Sequence, residues 1–194
     1  EALFDHSILK DSIKSISADT PVSYKDIKAR RVIFCEGYQI TNNPFFNTLP
    51  YRHVKGEVLD IYCETLDETT IYSNGKWLLP IGNNKFVFGA TYDRHDMTHE
   101  ATEHGKKRLT RLLSEFLKHP FTITGHRVGI RPSTTDFRPI IGRHPNFDRL
   151  FVFNGFGSKG LSLIPELAHQ FSLFLNERKP LDANISLSRY NHLI

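Results

Sequence analysis

Cysteine is scarce: Cys35 and Cys63 are the two in 194 residues. Both stand in apolar runs without CxxC spacing. This excludes a disulfide framework and makes a reducing, cytoplasmic compartment the expectation. No run of about 18 apolar residues occurs, so no membrane-spanning helix is expected. The ten histidines show neither HExxH nor H-x-E spacing, and no metal site is expected. Charge imbalance is small, 25 Lys and Arg against 21 Asp and Glu. The densest basic run, Lys106-Lys107-Arg108 with Arg111, reads as the solvated face of a helix, so no nucleic-acid partner is expected. The modest positive balance suits a small anionic substrate. Repeats and low-complexity tracts are lacking, and no signal-peptide pattern follows Glu1. A start at Glu1 leads to the expectation of a piece of a longer protein.

What is present is a globular composition, 39% hydrophobic and 24% charged, long enough for one large domain or two small ones. Apolar residues are sparse from 3 to 30, where short strands joined by polar turns are expected. Val32-Ile33-Phe34-Cys35 is short, apolar and rich in β-branched residues, and describes a buried strand stopping at Glu36-Gly37. Val54 to Ile61 alternates in part. Asn74-Gly75 signals a hairpin between Ile71-Tyr72 and Trp77-Leu78-Leu79, and Gly82-Asn83-Asn84 turns a second one. Leu109, Leu112, Leu113, Phe116 and Leu117 recur at helical spacing and predict a helix over 100–118, ended by His119-Pro120.

Strands are expected at 122–130 and 150–153, then a glycine loop and a helix reaching Glu177. Pro165 is placed in that helix's first turn. Leu163, Ile164, Leu167, Ala168, Phe171, Phe174 and Leu175 would give it a wide buried face. The class is α+β with a large antiparallel component.

Gly155-Phe156-Gly157-Ser158-Lys159-Gly160 is a literal G-x-G-x-x-G between a strand and a helix. A dinucleotide fingerprint also needs a following strand with an acid about 20 residues on, and the chain after Glu177 has no room for that unit. The loop keeps a simpler capacity: glycines admit a ligand to the backbone, and helix N-terminal amides stabilise negative charge. A loop that merely turns a strand into a helix is the alternative.

Three segments, taken in order, resemble the D-amino-acid oxidase and glycine oxidase family over about residues 30 to 178. Val32 to Gly37 resembles a buried strand beside the cofactor, with Cys-Glu-Gly where the family has an Ala-Thr-Gly-like turn. Val54-Lys55-Gly56-Glu57 and Trp77-Leu78-Leu79-Pro80 to Gly89-Ala90-Thr91 resemble the substrate domain. Gly129-Ile130-Arg131-Pro132 to Asp136, Pro139-Ile140-Ile141-Gly142-Arg143, the strand at 150–153 and the loop and helix at 155–165 resemble the closing segment.

The resemblance implies an FAD enzyme that oxidises the C–N bond of a small amino acid or secondary amine by hydride transfer to flavin. A hydroxy acid, a tRNA-borne amine or a non-catalytic substrate-binding module are the alternatives. It implies elements of an FAD-binding domain at 1–50, a substrate-binding antiparallel domain at 51–128, closing strands, loop and helix at 129–178, and a tail at 179–194. The Rossmann part would lie in a missing N-terminal FAD-binding segment, leaving FAD absent or weakly bound here and this piece inactive by itself.

Arg131 matches the arginine that anchors the substrate carboxylate, a task for two parallel N–H donors and a permanent charge. Trp77 aligns with a pocket aromatic, a core role being equally open, and Tyr92 with a pocket-lining position. Gly37, Gly155, Gly157, Ser158, Lys159, Gly160 and Leu161 correspond to the cofactor-facing turns. Arg131 and the turn at 155–160 are expected to serve one cavity. No side chain is singled out as a catalytic base, and Asp136 is read as a turn residue.

Overall fold

A computed structural model of the chain describes residues 21–194; the strands expected between residues 3 and 20 lie outside the described residues. In chain order the elements are β1 (Val22–Tyr24), β2 (Ile27–Ala29), β3 (Val32–Phe34), β4 (Val54–Tyr62), β5 (Tyr72–Ser73), β6 (Trp77–Gly82), β7 (Lys85–Gly89), α1 (Glu103–Phe116), β8 (Thr122–Arg131), β9 (Ile140–Arg143), β10 (Leu150–Asn154) and α2 (Gly160–Glu177). The described residues fall into two compact units, one of residues 21–52 and 132–194, the other of residues 53–131. No helix among the described residues is long and apolar enough to cross a membrane.

The second unit is a five-stranded antiparallel sheet in the order β5-β6-β7-β4-β8. Its turns obey the local chemistry: Gly75 has φ +67°, and Asn83 and Asn84 have φ +55° and +57°, conformations that Gly and Asn tolerate best. Strand alternation sends Leu59 and Ile61 to the face that also carries Phe86, Phe88 and Leu78. That face packs on Leu109, Leu113 and Leu117. Each such side chain contributes roughly 1.5–3 kcal/mol by leaving water.

Helix α1 is shorter at both ends than the apolar pattern predicts. It starts after Thr102, whose hydroxyl accepts from the Gly105 amide (2.9 Å), and it ends at Leu117, which turns extended. The stripe extends to Leu117 because that side chain is buried, although its backbone is no longer helical.

In the first unit β3 runs parallel to β10, and β9 pairs antiparallel on the other side of β10. Phe34, Ile140, Leu150 and Val152 belong to one apolar cluster with Phe46 and Ile40. Their sequence neighbours Ile141 and Phe151 belong to another with Leu167 and Phe171 of α2. Alternate residues of a strand face opposite sides, so β9 and β10 are covered on both. The edge strand β3 corrects the expectation of a buried strand, since it buries Phe34 but leaves Ile33 42% exposed and Cys35 exposed beyond it.

Helix α2 corrects two expectations. It begins at Gly160, which puts Pro165 inside the helix instead of its first turn. Its covered face is also narrow: Leu167 and Phe171 are buried, whereas Ile164 is 41% exposed and Ala168 is exposed. One sheet of three short strands supplies too little surface to cover every apolar position. Beyond α2 the chain returns to β9. The Ile141 amide donates to Ile185 O (2.9 Å), Ser186 bridges Ile141, and Leu187 is buried.

Candidate functional site

Gly56 sits in the middle of β4, where a strand ordinarily wants a side chain. Val54 stands opposite Arg131, and Gly56 opposite Gly129. A Cβ added at Gly56 would fall within the Arg131 guanidinium, so that side chain lies directly over the bare backbone. Val58 faces Gly89, and Gly89 faces Trp77. Directly paired residues share a face, so Gly56, Gly129, Val58, Gly89 and Trp77 line the side opposite to the one packed on α1. The Lys55–Asp93 bridge continues the pairing and sets Tyr92 opposite Gly56.

Nη1 of Arg131 is buried and has no hydrogen-bond partner among the described residues. Burial pulls the Arg131 guanidinium below its usual pKa, opposed by Tyr92. A desolvated donor without an acceptor costs free energy, and a carboxylate is the group that would relieve it with paired, charge-assisted bonds. Tyr92 is 52% exposed and its hydroxyl accepts from Arg94 Nη2 (3.0 Å). Trp77 is 38% exposed on the same sheet face. The sheet thus gathers Arg131, Trp77 and Tyr92 in one unit. Gly56 was not singled out from the sequence, although a glycine inside a strand pattern signals the close approach of another group.

The back of this site is rigidly tied. Lys55, Glu57 and Leu59 alternate onto the covered face. The buried Lys55 ammonium pairs with Asp96 and donates to Thr98 Oγ1 (3.0 Å), holding the segment that follows Tyr92. The buried Glu57 carboxylate accepts from the Thr102 amide (3.0 Å) and the Thr102 hydroxyl (2.9 Å), and lies 2.7 Å from His126 Nε2. It thereby reinforces the start of α1, where negative charge is favoured. Gly105 makes room for it, since a Cβ there would strike the carboxylate.

The other predicted residues lie in the first unit. The carboxyl ends of the parallel strands β3 and β10 run into Gly37 and Gly155, and such ends are where open α/β sheets receive ligands. Asn154, buried, donates from Nδ2 to Gly37 O (2.8 Å) and accepts from the Gly155 amide (2.8 Å), locking the two turns together. Gly37, Gly155 and Gly157 have φ +60°, +84° and +55°, the left-handed region that disfavours a side chain.

Ser158 and Lys159 are exposed, and Gly160 and Leu161 open α2 with no side chain capping its first turn. Leu161 is 96% exposed. Open space beside Gly37, uncapped amides at α2 and the ends of two parallel strands fit the edge of a flavin that carries negative charge. Asp136 accepts from the Arg138 amide (3.1 Å) and Tyr190 hydroxyl (3.0 Å), as a turn residue does. Arg131 belongs to the second unit and the turn at 155–160 to the first.

The family described as DAO, FAD dependent oxidoreductase, matches residues 7–172. Glycine oxidase of Bacillus licheniformis is 31% identical over 115 residues, covering 58% of this chain and 31% of that protein. Glycine oxidase of Bacillus subtilis is 27% identical over 147 residues, covering 72% of this chain and 39% of that protein. The crystal structure of glycine oxidase from Geobacillus kaustophilus superposes with a TM-score of 0.71 at 26% identity, over 84% of this chain and 46% of that one. The chain therefore spans less than half the length of these relatives. With the match running over most of its residues, the chain belongs to the DAO family of FAD dependent oxidoreductases.

Proposed function

We propose that this chain supplies the substrate-binding sheet and the flavin-edge turns of an enzyme that oxidises the C–N bond of a small amino acid or secondary amine. The observation that carries this reading is the buried, unpartnered Arg131 Nη1 lying over Gly56. A substrate carboxylate would meet the guanidinium donors there, on the sheet face that also carries Trp77 and Tyr92. In the first unit, Gly37, Gly155, Gly157, Ser158, Lys159, Gly160 and Leu161 would hold the flavin's edge through backbone amides, with Lys159 adding positive charge. FAD, when bound, supplies the hydride-accepting chemistry. This chain's residues fix the carboxylate, orient the carbon that carries the amine and leave the amine free to lose its proton to water. No side-chain base is needed for that step.

The chain spans less than half the length of its relatives, and the remaining cofactor contacts would come from outside residues 1–194, so these residues alone are expected to be colourless and inactive. Tight stoichiometric flavin in a visible spectrum of the purified chain would refute that expectation. The substrate assignment is tested by Arg131→Gln in the protein that contains this chain. KM for amino acids should rise at least tenfold, and activity on an amine without a carboxylate should be unaffected. An unchanged KM for amino acids would refute the anchor.

A further inference from the structure

Six of the seven glycines in residues 53–131 have a reason within the fold. Gly56, Gly89, Gly105 and Gly125 yield the space of a Cβ to the side chains of Arg131, Val58, Glu57 and Asp60, and Gly75 and Gly82 have the positive φ of their turns. Gly129 has neither reason. It lies inside the ten-residue strand β8, between Val128 and Ile130. Its φ is not left-handed. Apart from its chain neighbours, no atom lies within 4 Å of the place a Cβ would take. Glycine loses more backbone freedom on folding than any other residue, and here it gives nothing back by packing. A glycine inside a strand also marks the close approach of a ligand.

The open position has a defined neighbour. Gly129 stands directly opposite Gly56, so the two absent side chains would share a face with Cβ positions about 5 Å apart. The Arg131 guanidinium fills the place over Gly56, whereas Gly129 is exposed. Two residues back along the same face of β8, Arg127 is held by Asp60 through two bonds (2.7 and 2.6 Å). With that charge already matched, nothing beside the gap calls for a second acid. We propose that Gly129 is a specificity-determining residue, and that the space over it receives an uncharged substituent on the amine-bearing carbon. The substrate is then an amino acid larger than glycine. This rests on the assignment of Arg131 to the substrate carboxylate and names the substrate class of that same site. A carboxylate on the guanidinium brings the adjacent carbon beside the gap, where a short alkyl group leaves water to lie against bare backbone.

Acetate and butyrate share a carboxylate and differ by two methylenes, and an NMR titration of the full chain with each probes the gap. The wild-type chain should bind butyrate about tenfold more tightly than acetate, the gain from two methylenes leaving water. Gly129→Ala should reduce that ratio, and Gly129→Val should bring it close to one, because the new side chain takes up the space. Neither variant should lower Tm, since no atom is in the way and valine suits a strand. A role in the fold alone would move Tm and leave the ratio as it was. A wild-type ratio near one, or a preference that survives Gly129→Val, would overturn the proposal. Arg131→Met separates it from the anchor. If that change weakens both acids while the preference survives Gly129→Val, the anchor stands and the subsite falls. If it weakens neither, both fall.

Discussion

Replacing Gly56 by Ala would put a methyl group where the Arg131 guanidinium now rests. The backbone at Gly56 does not have a left-handed φ, so alanine meets no conformational penalty and gains roughly 0.5–1 kcal/mol relative to glycine inside a strand. The atoms in the way are the far end of a flexible side chain, which can swing aside, so the cost of overpacking should fall near the lower end of about 1–3 kcal/mol. Net stability should therefore change by no more than about 1 kcal/mol, a shift of a few degrees in Tm.

Ligand binding should respond differently. Hydrogen bonds to a charged group contribute about 1.5–3 kcal/mol, and losing the aligned guanidinium should weaken a small carboxylate such as acetate about 10- to 150-fold. Thermal unfolding and an NMR titration read the two quantities separately. Combining Gly56→Ala with Arg131→Met should add nothing to the binding loss of Arg131→Met alone, since both remove the same contact. A Gly56→Ala chain that binds acetate like wild type, or an additive double variant, would refute the placement of Arg131 over Gly56.

Glu57→Ala should lower stability by about 3 kcal/mol or more, because it strips a buried carboxylate from the Thr102 amide, the Thr102 hydroxyl and His126. Thr102→Ala, which removes the cap of α1 and the hydroxyl's bond to Glu57 while leaving the Thr102 amide and His126 on the carboxylate, should cost less, about 1–2 kcal/mol. Chemical denaturation of the two variants checks the ranking. Acid should probe the Lys55–Asp96 pair, whose contact with Lys55, then Thr98, holds the Asp96 carboxyl down to about 2. The unfolded carboxyl protonates near its ordinary value of about 3.9. This stabilisation is therefore in place above about pH 4 and is lost as pH falls through about 2. Asp96→Asn should flatten that part of the stability–pH curve, measured by urea titration. Gly157→Ala should cost about 1–2 kcal/mol, since φ is +55° and the new Cβ would sit 3.0 Å from Ser133 Oγ. A variant as stable as wild type would contradict the turn geometry.

Local patterns in the chain were enough to specify much of this protein. Asn74-Gly75 and Gly82-Asn83-Asn84 force their turns by backbone sterics, and Leu109, Leu113 and Leu117 mark the helix stripe that is buried on the sheet. The glycines at 155 and 157 permit the left-handed backbone found there, whereas Gly160 of the same motif enters the helix. Arg131 could be picked out by its motif, but not the surface beneath it. That Gly56 lies under the guanidinium depends on the register of β4 against β8, a pairing across about seventy residues of sequence. The same register sends Lys55 and Glu57 to the opposite face, where they find Asp96 and Thr102. Helix ends shifted for the same reason: a cap at Thr102 and a strand-like Leu117 are decided by tertiary partners, which no periodicity within the helix encodes.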